Sequence, residues 1–444
     1  MPHAAFGPLI LSGSYLLLVL LALGLLIGAC WLERRWRLIK DLPTSKPGGV
    51  CVGLVEVVGT IRCATPVTSR LTDARCVWYR WSIEEQWSRA VTTTSTDAQG
   101  HTTTSTSRES GWTTIASGGD ERPFTLSDES GSVLVRPGGA QVHAASVLDT
   151  TCGRANPWYY GKGPQAAISN SDHQRHFHEW LLPLERSGYV IGQARQSPDQ
   201  ESIEISLDGH APLFAISLRG QDDIASGYFW KGLVCKILGL AVAVGGAWYL
   251  NQDDAQVALE AALAAVLYLV LCAVGWFWLV HNSLVELRQR VHQGWANIDV
   301  QLTRRFDLIT QLLPLVQAIT GHEAVTQQAV ACMRQQQQAT PPGAPGPDVA
   351  VLAPLLARVV EAYPDLIAQA QFARLQQALV DCENRVALSR SYFNDIVTSW
   401  NTRLGRFPDV LVARLGGMRP SHLMQDFPGA QVAPVVQLST PTRH

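Results

Sequence analysis

Charge is scarce in this chain: Asp, Glu, Lys and Arg supply 16% of its 444 residues, apolar residues supply 47%, and the net charge is −2. That balance creates no global field to attract nucleic acid or an anionic surface, so no nucleic acid is expected as a partner. It shifts the class toward membrane proteins. Cysteines in paired spacing are also missing. The nine that occur are dispersed and include no CxxC, which argues against a disulfide framework and zinc ribbons and leaves free thiols in a reducing compartment. The chain has no phosphate-binding glycine loop, nucleophile elbow or HExxH. The expectation is a non-enzymatic protein without a cofactor.

Long apolar runs are what the chain does have. Residues 10–32 carry no charge until Glu33, Arg34, Arg35, Arg37 and Lys40 follow. A basic cluster after the apolar run reads as a signal anchor, with the N-terminus outside and the following chain in the cytoplasm. Residues 229–250 and 257–280 predict a hairpin of two further spans. Its tip, 251–256, is acidic, while Lys231, Lys236, Arg288 and Arg290 flank it, so positive residues stay inside and the tip lies outside. Trp31, Trp36, Trp230, Trp276 and Trp278 stand beside apolar runs where interfacial rings belong. Gly24 and Gly28 form a GxxxG spacing, a candidate for close packing of a second helix in the membrane.

Between the first and second spans the pattern turns to short alternating segments rich in β-branched and aromatic residues. Residues 52–61 alternate, 76–83 read CVWYRWSI, and 123–135 predict two strands joined by Asp-Glu-Ser-Gly. Residues 179–194 predict a further strand pair around Ser187-Gly188. Such a series suggests a small closed or part-closed barrel, OB-like in architecture. Residues 90–110 are Thr/Ser-rich and can bury nothing, so they are expected as a disordered or extended hairpin loop. These segments, carried by runs such as P-F-x-L-x-D-x-x-G, resemble the GIDE domain of mitochondrial membrane-bound ubiquitin ligases and their prokaryotic relatives over most of 47–228. In the eukaryotic relatives a RING domain supplies the ligase activity. This chain has no Cys/His zinc-ligand array of that kind, so the resemblance does not imply a ligase here.

After the third span, Leu284, Leu287, Val291, Trp295, Ile298, Leu302, Phe306, Ile309, Leu312, Val316 and Ile319 recur at steps of three and four. They form one apolar stripe on a long helix that continues the span as a single rod. Gly294 and Pro314 are its weak points, with a kink expected at Pro314. The proline-rich stretch 341–347 breaks the rod, a second helix starts near Val349, and a third covers 368–405 before Phe407-Pro408. Long amphipathic helices with short connections predict an antiparallel bundle. The run N-I-D-V-Q-L-x-R-R-x-D-L-I, then H-E, Y-P-D-L, E-N-R-V-A-L-S-R-S-Y-F-N and F-P-D-V-L-V-A, resembles the LemA family of bacterial membrane-anchored helical proteins over about 281–428. Where that family usually has Pro-Asn after D-L-I, this chain has Thr310-Gln311. The resemblance implies a bacterial inner-membrane protein, and the three spans with their basic flanks predict a multi-pass topology with residues 40–228 and 281–444 in the cytoplasm.

The polar residues on these helices are Asp299, Arg304, Arg305, Asp307, His322 and Glu323 on the rod, with Glu383, Asn384, Arg385, Arg390 and Asn394 on the third helix. With no recognisable nucleophile and base among them, they read as an ion-pair and amide network that fixes helix register. His173, His176 and His178, with Glu179, are the only clustered metal-type residues. A strand puts His176 and His178 on one face, but no further convincing ligand is visible nearby, so no metal is assigned.

The sequence therefore predicts a multidomain α+β membrane protein with three transmembrane helices, a small OB-like β-barrel domain and a long antiparallel α-helical bundle. Its parts are an anchor at 1–40, a GIDE-like domain at 41–228, a transmembrane hairpin at 229–280, a LemA-like bundle at 281–428 and a tail at 429–444. The expected partners are the lipid bilayer and further copies of the chain, as a homo-oligomer in a ring or cage-like array. The expected role is a scaffold in membrane organisation or envelope stress. The other reading is a regulatory membrane protein whose GIDE-like domain binds a protein, peptide or lipid headgroup.

Overall fold

The computed structural model describes residues 13–96, 102–197, 203–209, 211, 213–250, 256–320 and 370–424. The chain forms two units, one of Thr44–Gly220 and one of the segments on either side of it. It begins with helix α1 (Gly13–Lys40), whose last turn carries Arg37 and Lys40, cations suited to the negative end of a helix.

Within the Thr44–Gly220 unit come β1 (Thr44–Ser45), β2 (Gly53–Arg62), β3 (Val67–Thr68), β4 (Arg75–Thr96), β5 (Thr102–Glu121), β6 (Phe124–Asp128), β7 (Gly131–Val135), β8 (Gln141–His143) and β9 (Ala145–Gly153). A short helix, α2 (Pro157–Gly161), leads to β10 (Ser171–Pro183), β11 (Ser187–Gln196), β12 (Ile203–Ser206) and β13 (Ala215–Ser217). Strand β2 pairs with β6, β6 with β7, β7 runs parallel to β12, β12 pairs with β11, and β11 returns to β2. That circuit is a closed five-stranded barrel. Alternation builds it: Val55, Val57 and Ile61 of β2 point to the same interior as Phe124, Leu126, Val133, Val190 and Ile205. Glycine lets β11 close the circuit. A Cβ at Gly192 would stand 2.7 Å from the Phe214 ring, and one at Gly188 would stand 2.8 Å from Ile61.

The parallel seam between β7 and β12 is pinned by charge. Glu204, 1% exposed, accepts from Arg136 Nε at 2.8 Å and from Arg195 Nη2 at 3.1 Å. Burial works against the carboxylate, but hydrogen bonds from Arg136, Arg195 and Ser197 outweigh it and hold the pKa below its ordinary value.

A second sheet runs β3-β4-β10-β9, with β5 paired to the other part of β4. Strands β10 and β11 belong to different sheets, so residues 179–194 are not the hairpin pair the sequence suggested: Ser187-Gly188 opens a barrel strand. The Thr/Ser-rich insert is the far end of the β4–β5 hairpin, paired out to Thr96↔Thr102. It forms an extended ladder because Thr tolerates β geometry while its hydroxyl stays in water. One face of the second sheet is covered by α2 and the loop after it. Arg175 and Glu85, both with fully buried side chains, meet at 3.1 Å, and Arg175 also donates to the carbonyls of Tyr159, Pro164 and Ala166.

The other unit adds α3 (Gln221–Leu250), α4 (Val257–Thr320), α5 (Ala370–Gly405) and α6 (Asp409–Leu415) to α1. Three of these helices are long and apolar enough to cross a membrane, over Leu16–Lys40, Gln221–Tyr249 and within Val257–Leu308. Their outer sides carry exposed Leu16, Leu20, Ile237, Leu263 and Val270. Glycine contacts hold them together: a Cβ at Gly246 would lie 2.9 Å from Leu18, and one at Gly232 would lie 3.6 Å from the Ala29 carbonyl. Helix α4 continues through Gly294 and Pro314 without a break. The hairpin tip at 251–255, the proline-rich stretch and the helix near Val349 fall outside the described residues. Helix α5 packs antiparallel on α4, and Leu284, Leu287, Val291 and Ile298 are buried against Phe393, Ile396, Val397 and Trp400. Gly294 admits this approach, since its Cβ position lies 3.3 Å from both Phe393 and Ile396.

Glu204 makes the barrel acid-sensitive. A carboxylate whose folded pKa lies below its ordinary 4.5 adds stability above that pH and loses it as pH falls through the folded value. We expect the unfolding midpoint of the Thr44–Gly220 unit in the full chain, followed by tryptophan fluorescence, to drop below pH 4.5. Glu204→Gln should flatten that drop; an unchanged profile would rule out this ion pair as its source.

Candidate functional site

The densest buried polar cluster of the helical unit lies where α1 loses its apolar character. Glu33, Arg37 and Asp41 are spaced by four residues, so they share one face of the chain as the helix ends. Glu33 accepts from Arg37 Nη2 at 2.9 Å and from Lys236 Nζ of α3 at 2.5 Å. Arg37 lies 3.9 Å from Asp409 of α6. Arg403 of α5 donates to Asp409 at 2.5 Å and also to Asp41. Ser283 of α4 donates to Asp41 Oδ2 at 2.6 Å.

Every described helix of the unit thus contributes to one network in which Lys236, Arg37 and Arg403 balance Glu33, Asp41 and Asp409. Arg37, Asp41, Ser283 and Asp409 are all below a tenth exposed. Burial opposes the charge of Arg403, but Asp41 and Asp409 outweigh it and raise its pKa. Charges so far out of water hold together only in pairs, and once paired they select one arrangement of the helices. Two more exposed pairs accompany the network, Arg34–Glu286 at 3.2 Å and Lys40–Asp222 at 2.5 Å.

The residues singled out on the rod separate in the structure. Arg305, 2% exposed, meets Glu383 at 3.2 Å. Asp299, Arg304, Asp307, Asn384 and Arg385 are exposed, Arg390 is half-buried, and His322 and Glu323 lie outside the described residues. Asn394 faces the segment after α6 instead of α4: its side chain exchanges two hydrogen bonds with the Met424 backbone, at 2.9 and 2.8 Å. Asn401, seven residues on, does the same with Ser421, and Trp400 donates to the Arg419 carbonyl at 3.1 Å. These amides stand in for a partner strand and strap residues 419–424 along α5. Gly24 and Gly28 meet no described heavy atom within 4 Å of an added Cβ; the close glycine contacts are those of Gly232, Gly239 and Gly246 in the second span and Gly275 in the third.

In the β unit, alternation separates Glu179 from the histidines. Glu179 points to the covered face, where it accepts from the backbone of Leu71 at 2.8 Å and Thr72 at 2.9 Å. His173, at φ 57°, turns toward the Tyr159 hydroxyl at 3.4 Å. His176 and His178 stay together on the open face, and the carboxylate that joins them is Glu84 of β4. Cross-strand placement, which no local motif encodes, was the missing signal. For the ionic junction a signal existed: Asp409 stands in F-P-D-V, and Glu33 and Arg37 stand at i,i+4 beside an apolar run.

Arg403→Ala would leave Asp41 and Asp409 buried without their cation, a loss of about 3–5 kcal/mol. Arg34→Ala removes an exposed pair worth about 0–1 kcal/mol. Denaturant unfolding of the detergent-solubilised chain should rank them in that order, and equal losses would remove the junction from the fold's essentials.

No curated protein and no solved structure matches the chain. Two family models do. Residues 93–250 match the GIDE model, described as E3 Ubiquitin ligase, and residues 294–438 match the model of the LemA family. The chain therefore joins a GIDE segment to a LemA segment that follows it toward the C-terminus.

Proposed function

We propose that the protein is a non-enzymatic, polytopic membrane scaffold that associates with copies of itself, working in membrane organisation or envelope stress. It spans a bacterial inner membrane three times, with its N-terminus outside and its β unit and C-terminal helices in the cytoplasm. The observation that carries this reading is α4, a single helix of 64 residues. At 1.5 Å per residue it measures about 96 Å, enough to cross the lipid and continue well beyond it. Basic residues gather at the same end of each span: Arg34, Arg35, Arg37 and Lys40 after the first, Lys231 and Lys236 on the second, Arg288 and Arg290 after the third. That clustering favours the proposed orientation.

The finer architecture follows the same reading. The barrel circuit, five strands joined by four antiparallel pairings and one parallel pairing, supports an OB-like barrel. The α4–α5 pair is the core of an antiparallel bundle. The stripe of α4 is covered by α5 between Leu284 and Ile298, so that part is unavailable for self-association. Copies would meet through the apolar outer sides of the spans, where packing rather than burial from water provides the attraction. A second reading, a regulatory protein whose β unit takes a ligand, is favoured by the half-buried His and Glu side chains on its open sheet face.

Extraction in a mild detergent followed by single-particle imaging should give discrete symmetric oligomers. A monodisperse monomer would end the scaffold reading. Protease added to inside-out vesicles should cut both the β unit and the α5 region, and right-side-out vesicles should protect both. Cleavage of either from the outside would reverse the proposed orientation.

A further inference from the structure

We propose that Glu84, His176 and His178 form a binding site for a divalent transition-metal ion of the zinc class, with Asp149 as its positioning carboxylate. Strand β10 supplies the histidines two residues apart, so both point to one face of the sheet. Strand β4 places Glu84 directly opposite His176, and β9 places Asp149 directly opposite His178. The ligand atoms of Glu84, His176 and His178 all lie within 4.8 Å of one another, and all three residues are half-buried. A tetrahedral ion with bonds of about 2.0–2.2 Å holds its ligand atoms roughly 3.4 Å apart, which side-chain rotation of these three residues would have to supply.

The surroundings are built to hold the rings. Asp149 lies 2.6 Å from His176 Nε2, which fixes that imidazole and leaves its other nitrogen for an ion. The indole of Trp180 stacks on His178 with centroids 5.4 Å apart and planes 5° apart. Trp112 sits 5.7 Å from His176 on the other flank. The centroids of the two imidazoles are themselves 3.8 Å apart with their planes inclined at 45°, so both rings border one small space. On the covered face the ionisable groups are occupied: Glu85 by Arg175, and Glu179 by the loop amides. Two imidazoles and one carboxylate are a donor set for zinc and its first-row neighbours and leave a coordination position open to solvent or a ligand group. The site does not depend on the scaffold reading.

The test uses the full chain in detergent, stripped with a chelator, thiol-blocked and titrated with zinc. Calorimetry and elemental analysis should show about one ion per chain, and magnesium should not compete. Cobalt loading should give absorption typical of nitrogen and oxygen ligands, without a thiolate charge-transfer band. His176→Ala with His178→Ala should abolish binding, Glu84→Gln should weaken it at least tenfold, and Asp149→Asn should weaken it about 10–100-fold. His292→Ala, an exposed histidine of α4, should leave it unchanged. Far-UV circular dichroism checks each variant's fold, with His176→Gln and His178→Gln replacing the alanines if those do not fold. No zinc bound above the magnesium control, or equal zinc in the double variant, would overturn the proposal.

Discussion

The pairing of Arg403 with Asp41 and Asp409 is the constraint on which the helical unit depends. Where a membrane span ends, the dielectric changes over a few ångströms, and a charged side chain must reach water or find its opposite. Here the charges turn inward. Glu33, Arg37 and Asp41 face other helices, and each is met by a group from a different one. Such a network adds less net stability than its contacts suggest, because burial costs much of what attraction returns. Its larger effect is geometric: the opposite charges meet in this arrangement of the helices, and sliding a helix by a turn would leave ions unmatched in a dry place.

The β unit solves a related problem by alternation. Successive residues of a strand face opposite ways, so β4 and β10 carry two independent chemistries. Ile83, Glu85, Arg175, Phe177 and Glu179 build the covered face and are consumed by packing and hydrogen bonds. Glu84, His176 and His178, each one residue away, are left on the other side, where rigidity has already been supplied from beneath. A site resting on a sheet whose back is pinned by a buried ion pair has little freedom to adjust, the condition for holding groups in fixed geometry.

Much of this was legible in the sequence, to the extent that each feature depended on local order. The three apolar runs, the stripe from Leu284 to Ile298, and the strands at 53–62 and 124–135 follow from periodicity and composition, which are properties of neighbours in the chain. The Arg305–Glu383 contact was reachable by placing two amphipathic helices face to face. What escaped depends on which strands and helices become neighbours. Ser187-Gly188 looked like a turn between paired strands because chain proximity implies pairing, yet β10 and β11 enter separate sheets. Glu179 looked like a ligand because it follows His178, whereas Glu84 lies far away in sequence and directly across the ladder. Asn394 looked like a helix-register residue, and only the path of residues 419–424 reveals it as a strap.

The junction also explains how two unrelated segments hold together in one chain. Lys236 lies in the stretch matching the GIDE model, while Arg403 and Asp409 lie in the stretch matching the LemA model. Neither match includes Glu33, Arg37 or Asp41, yet those residues join both: Glu33 takes Lys236, Arg37 approaches Asp409, and Asp41 takes Arg403. Within the helical unit, Gln221 at the start of α3 donates to the Ile39 carbonyl at 2.6 Å and to that of Leu42 at 3.3 Å, which ties the start of α3 to the end of α1. Helix α1 is therefore more than an anchor. Its terminal turn gathers the charges of α3, α5 and α6, and its own charges face inward because each finds its opposite there.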